Sequence, residues 1–224
     1  MFISFLKCQN NNVLSFLCCI FGIVSNAYAT DVTTNNRQTF ITSCWTTPEI
    51  WDTDPPMSIQ KHNDLRRQPG SAEFAQGQFI DIEGKVLDAN CVPVSQAIVE
   101  IWQKDSLGNG QDESKDLRFG YSGTAVTDNL GNFRFLTVYP GVHLAAKQEV
   151  APHINFRVRH VDFPLFETKM YFPDHSANNF DVYLKNFIDK NRSNLLVSSN
   201  IGSHDPVTFR FNITLEGSNK YKYY

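Results

Sequence analysis

Phe79-Ile80-Asp81-Ile82-Glu83-Gly84-Lys85-Val86-Leu87, followed after a turn by Ala97-Ile98-Val99-Glu100-Ile101-Trp102-Gln103, decides the fold class. Apolar and polar residues alternate in both stretches, which is the period of a strand with one face buried. Asp88-Ala89-Asn90 between them supplies turn residues. Further along, residues 122–127 and 132–138 predict a hairpin across Asp128-Asn129-Leu130-Gly131. Strands are also expected over 153–161, 167–172 and 208–215. In the first of these Phe156, Val158 and His160 share a face opposite Arg157 and Arg159. Residues 180–189 predict one helix, with Leu184, Phe187 and Ile188 on one side. Many short strands joined by turn residues, with a single short helix, give an all-β sandwich.

Upstream the texture is different. Residues 31–77 lack hydrophobic periodicity and are rich in Thr, Asn, Pro and charge, so they predict an arm. Trp45 and Trp51 are expected to pack that arm onto the body, and Pro55-Pro56 and Pro69-Gly70 mark turns within it. Residues 1–29 have the form of a signal peptide. Lys7 precedes an apolar run over 13–24, and Ala27-Tyr28-Ala29 gives the small-x-small pattern of a cleavage site. Cleavage is expected after Ala29, and the run is too short for a stable bilayer anchor. The organisation is therefore a leader at 1–29, an arm at 30–77, the sandwich at 78–217 and a tail at 218–224. The expected location is secreted or periplasmic, with no membrane span after processing.

Cys8, Cys18 and Cys19 would depart with the leader, leaving Cys44 and Cys91. In an oxidising compartment those two form a disulfide or stay as two separately buried thiols, and spacing alone leaves both open. A net charge of −3 with no basic stripe excludes nucleic acid as the expected partner. Phosphate loops, zinc knuckles and nucleophile elbows are missing from the sequence. Asn191-Arg192-Ser193 and Asn212-Ile213-Thr214 match the glycosylation sequon, which matters only in a eukaryotic secretory route.

One series of segments carries more. Gly84-Lys85-Val86-Leu87-Asp88, Val92-Pro93-Val94 and Ala97-Ile98-Val99-Glu100-Ile101-Trp102-Gln103-Lys104-Asp105 open it. Thr127-Asp128-Asn129-Leu130-Gly131-Asn132-Phe133-Arg134-Phe135, Pro140-Gly141, Pro152-His153-Ile154-Asn155-Phe156 and Thr168-Lys169-Met170-Tyr171-Phe172-Pro173 follow in one collinear order. Together they resemble the intradiol ring-cleavage dioxygenases. The resemblance implies a β-sandwich in which two tyrosinates and two histidines hold Fe(III), with a catechol-like aromatic as substrate. Carried over by position, the first tyrosine falls near Gly110 and the second at His143. The histidine pair falls at His153 and Asn155. The family's arginine becomes Val150, and a glutamine of the Tyr-Phe-Pro segment becomes Lys169.

His153 and Asn155, two apart on one strand, are expected on the same face, with His143 arriving from a loop. Two imidazoles and an amide form a neutral set that suits a divalent metal better than Fe(III). His153 could equally hydrogen-bond inside the sandwich with no metal. Tyr121 and Tyr139 are the candidate substitute phenolates. Asp174-His175 is a second place for a recruited ligand, His160 is expected in the core, and His62 and His204 in solvent. Two function classes follow: a ring-cleaving enzyme, or a non-catalytic secreted binding protein that takes a small aromatic ligand.

Overall fold

The computed structural model describes residues 44–52, 54–113, 116–145, 148–186, 193–202 and 206–218. The leader, the first part of the arm, residues 187–189 of the expected helix, the Asn191 sequon, His204 and nearly all of the tail lie outside them.

Two sheets face each other. The first is built on β1 (Phe79–Leu87), which pairs antiparallel with β4 (Asn132–Val138) on one edge. On the other edge β1 pairs in parallel with β10 (Val207–Arg210) and then with β11 (Ile213–Thr214). β9 (Ser199–Gly202) extends this sheet beyond β10. The second sheet runs β3-β2-β7-β8, from β3 (Ser122–Val126), β2 (Ile98–Gln103), β7 (His153–His160) and β8 (Phe163–Tyr171). A short hairpin, β5 (His143–Ala145) with β6 (Gln148–Val150), stands before β7. A 3-10 turn, Ser176–Asn179, and helix α1, Val182–Asn186, follow β8.

The alternation seen in the sequence sets what lies between the sheets. Ile80, Ile82, Val86, Val99, Ile101, Ile154, Phe156 and Met170 are all fully buried there, with Phe135 and Phe211. Each such side chain contributes about 1.5–3 kcal/mol of transfer free energy. At Gly84 a β-carbon would collide with the Phe211 carbonyl oxygen and the Phe133 ring, so only glycine lets the chains approach there.

The predicted hairpin of residues 122–138 does not form. β3 pairs with β2 and β4 pairs with β1, so the Asp128 turn crosses from one sheet to the other. The turn chemistry is as the sequence predicts: Asp128 Oδ1 accepts from the amides of Leu130 and Asn132, and Gly131 takes φ 74°. A tight turn fixes reversal of the chain, not which edge receives the returning strand. The strand expected over 208–215 is likewise divided into β10 and β11. Phe211 N donates to Glu83 O between them.

β3 and β4 are edge strands of opposite sheets, and the arm joins them. His62 O accepts from Thr124 N on β3, while Asn63 O accepts from Leu136 N and Leu65 N donates to Leu136 O on β4. Leu65 itself is fully buried in the core. The arm is thus stitched to both edges and covers backbone that would otherwise stay unpaired. Its anchors are not the expected ones. Trp45 and Trp51 are 67% and 49% exposed, and burial falls on Ile50, Leu65 and Ala75. Shorter aliphatic side chains take these buried places without a polar ring nitrogen to satisfy. At the arm's start Cys44 and Cys91 are joined, with Cα atoms 5.3 Å apart.

Candidate functional site

The outward face of the second sheet carries the chemistry. β7 contributes His153, Asn155 and Arg157, which alternate with core residues Ile154, Phe156 and Val158. The register sets Tyr171, Lys169 and Glu167 of β8 beside those three, in that order. On the other flank Trp102 of β2 pairs with Asn155. A second apolar cluster roofs this face: Ile50, Ala151, Tyr171, Ala177 and Leu196, packed with Val142, Tyr183 and Leu184. His153, Asn155 and Lys169 are all buried beneath it.

The buried polar groups of β7 and β8 are held by defined hydrogen bonds. The Nδ1 of His153 lies 2.8 Å from Ala151 O. A carbonyl only accepts, so Nδ1 carries the proton and Nε2 keeps its lone pair. Lys169 Nζ stands 3.4 Å from that Nε2 and 2.5 Å from Asn155 Oδ1. Asn155 Nδ2 donates to Trp102 O. Trp102 Nε1 donates to Asp52 Oδ2 at 2.6 Å, which brings the arm into the site. Tyr171 donates its hydroxyl to Asp181 Oδ1 at 3.2 Å. The ring of Tyr183 lies 5.3 Å from Lys169 Nζ, and the His143 ring lies 5.5 Å from that of His153.

The electrostatics follow from burial. Desolvation, helped by the Lys169 ammonium, pushes His153 down to about 3, so it stays a neutral imidazole. His143 is lowered by burial and then by Lys104 and Lys169. Burial also lowers Lys169, against the opposing pull of Asp52, Asp181 and Glu167. Burial would raise Asp52, but Lys169 and the Trp102 hydrogen bond together bring it below its ordinary value. Burial and Asp181 drive the Tyr171 phenol far above its usual range.

The structure brings His143, His153 and Asn155 into one neighbourhood. Gly110 lies on the loop after β2, where its amide donates to Glu113 Oε2 and a β-carbon would stand 2.8 Å from Lys104 Nζ; two residues earlier, Gly108 packs against Val142 and His143. Tyr121 and Tyr139 pack into the interior cluster with Ile154 and Phe156, on the face opposite His153 and Asn155. Tyr121 directs its hydroxyl to Asp105, and Tyr139 stacks on Phe172 at 4.2 Å, where burial pushes it up to about 12. His175 caps the 3-10 turn by accepting from Ala177 N. His160 is half-buried and accepts from Asp162 N, so it is not a full core residue. His62 is half-buried and bonded to Gln60 Oε1, not solvated. Among the described residues, no three His, Cys, Asp or Glu side chains gather as a metal site. A groove of about 930 Å³ opens between β3 and β4, but none of its lining residues belongs to the His153 face.

Sequence reasoning missed Asp52, Trp102, Asp181, Tyr171 and Tyr183 as members of this site. Lys169 was noticed only as a replaced glutamine. Its position on the same strand face as Glu167 and Tyr171 was readable from period two, but its pairing with Asn155 needed the register.

Comparison with known proteins agrees with this architecture. A family model described as Dioxygenase matches residues 55–217. A Rickettsia bellii protein that carries a provisional dioxygenase name is 33% identical over 140 residues, covering 57% of this chain and 65% of that protein. The alpha chain of protocatechuate 3,4-dioxygenase from Pseudomonas putida is 32% identical over 151 residues, covering 64% of this chain and 74% of its own. Among solved structures, the dioxygenase domain of a dioxygenase carbohydrate-binding protein fusion from Streptomyces sp. SirexAA-E superposes with TM-score 0.61 at 19% identity. It covers 77% of this chain and 99% of that one, and supports the fold.

Proposed function

The chain belongs to the intradiol ring-cleavage dioxygenase family, and from that premise we propose that it is an exported member that binds a hydroxylated aromatic without cleaving its ring. One observation carries this reading: the donor set at the family's metal position is neutral. The family is in general Fe(III)-dependent. A ferric ion needs hard anionic oxygens to balance its charge and compete with hydroxide. The two tyrosinate positions fall at Gly110 and His143, and one histidine position falls at Asn155. Tyr121 and Tyr139 face the interior. These residues do not fit Fe(III).

What remains suits a ligand better than a reaction. The Tyr183 ring lies 5.3 Å from the buried Lys169 ammonium, and the His153 ring beside it neighbours those of His143 and Tyr171 at 5.5 and 5.6 Å. Rings for stacking and one cation for a phenolate or carboxylate match an aromatic acid. The Pseudomonas putida relative is named for protocatechuate, an aromatic of that class. Export rests on the leader pattern of residues 1–29 and on the Cys44–Cys91 bond, a feature of oxidising compartments.

The test combines element analysis, a visible absorption scan, oxygen uptake with catechol and protocatechuate, and calorimetric titration with protocatechuate. The expected result is no iron-tyrosinate band, no oxygen uptake and saturable binding. Stoichiometric iron with a tyrosinate charge-transfer band would overturn the reading in favour of an enzyme.

A further inference from the structure

We propose that Lys169 is a built-in cation that takes the place of the metal ion in this site. It excludes divalent ions from His143 and His153, and a neutral residue at 169 would admit one. The inference rests on the reading of the site as non-ferric and adds what fills it.

The His153 face is built as a metal site is built. A neutral imidazole has its tautomer fixed by a backbone carbonyl, Ala151 O, so that its Nε2 lone pair points into the site. An amide is fixed by donating Nδ2 to Trp102 O, so that Oδ1 points into the same space. Both inward donor atoms converge on one positive centre, the Nζ of Lys169. An ammonium has only donors, so each contact uses a lone pair that a metal would require. Around it stand Asp52, Asp181 and Glu167 as counter-charges and the Tyr183 ring as a cation-π partner.

The placement follows from the fold. Lys169 lies opposite Asn155 in the β7–β8 ladder, and both side chains leave the sheet on the roofed side. Lys169 is only 3% exposed, so the Ile50 and Tyr183 roof prevents its side chain from swinging into solvent to make room. A divalent ion arriving at His153 would have to take the lone pairs that the Lys169 ammonium contacts and then sit beside that buried charge. Coulomb repulsion at such a separation opposes entry strongly when water is excluded.

The experiment uses the processed full-length chain with its disulfide intact and Co2+ as the probe, read by calorimetry and by the visible d–d bands of a histidine-bound ion. The native chain and Lys169→Arg should show no saturable binding at His153. Lys169→Gln should bind one equivalent, with affinity at least about 100-fold higher than the native chain. Adding Asn155→His should tighten it further, and His153→Ala in the Lys169→Gln background should abolish it. Circular dichroism confirms folding, and Lys169→Met serves if Lys169→Gln does not fold. Should neither fold, the native chain alone decides: Co2+ that shifts or broadens the His153 ring resonances overturns the proposal. So does a native chain that binds Co2+ as tightly as Lys169→Gln, or a folded Lys169→Gln, Asn155→His protein that binds none. Cobalt binding by the native chain without oxygen uptake sinks only the role of Lys169. Oxygen uptake with catechol by a native chain that leaves His153 unbound sinks only the proposed function.

Discussion

Asp181 shows how a single carboxylate holds the site's roof in place. Fully buried, it accepts from Tyr183 N and Leu184 N at the start of α1, from Ala151 N beside His153, and from the Tyr171 hydroxyl. Asp181→Ala removes a helix cap and leaves buried donors without partners. It should cost about 2–4 kcal/mol, measured by urea denaturation. Tyr139 gives a second residue-scale test. Its folded-state phenol is raised to about 12, while an unfolded one ionises near its ordinary value. Below about pH 10 both states keep the proton, so this group imposes no loss. As pH rises from there toward 12 only the unfolded state gains from ionising, so stability falls. Tyr139→Phe should flatten that alkaline limb in a pH series of denaturation midpoints. At this scale the sequence was partly legible. The shared face of His153 and Asn155 follows from period two alone. Lys169, Asp52 and Asp181 arrive by register, by the arm and by a later cap, and no local spacing encodes those.

The elements were more readable than their partnerships. β1 and β4 occur where alternation places them, and β2, β3 and β7 within a residue of it, because one face of each meets the core. The failure at the Asp128 turn is instructive. Asp128, Gly131 and Asn132 specify a reversal, yet β4 finds β1 across the sandwich because both need a partner with the same inward face. The arm departs from expectation for a related reason: tryptophans mark it in the sequence, whereas Leu65 and backbone hydrogen bonds to β3 and β4 hold it in place. Leu65→Ala should leave a cavity beneath the stitched edges and cost about 2–5 kcal/mol, seen as a lower denaturation midpoint. The Cys44–Cys91 bond, at a sequence separation of 47, ties that same arm to the β1–β2 turn. Replacing both cysteines with alanine should cost about 4 kcal/mol in the chain-entropy picture, and the loss should appear equally in reduced native protein.

For the molecule as a whole, the compartment decides whether that bond can form. The chain carries five cysteines, and three of them, Cys8, Cys18 and Cys19, belong to the segment read as a leader. If that segment remained attached, three thiols would be available to exchange with the Cys44–Cys91 bond in any oxidising space. Removal after Ala29 leaves only the two cysteines that are joined, so the processed chain has no thiol left to react. Cleavage and disulfide formation are therefore expected together. N-terminal sequencing of protein from the exported fraction should begin at Thr30 or within a residue or two of it. The same sample, unfolded without reductant, should show no free thiol to Ellman's reagent and one Cys44–Cys91 peptide pair by mass spectrometry. Protein that keeps Met1 and fractionates with the cytoplasm would refute export. Two alkylatable thiols in correctly processed protein would instead separate the two claims, leaving the leader intact as an inference and removing the disulfide.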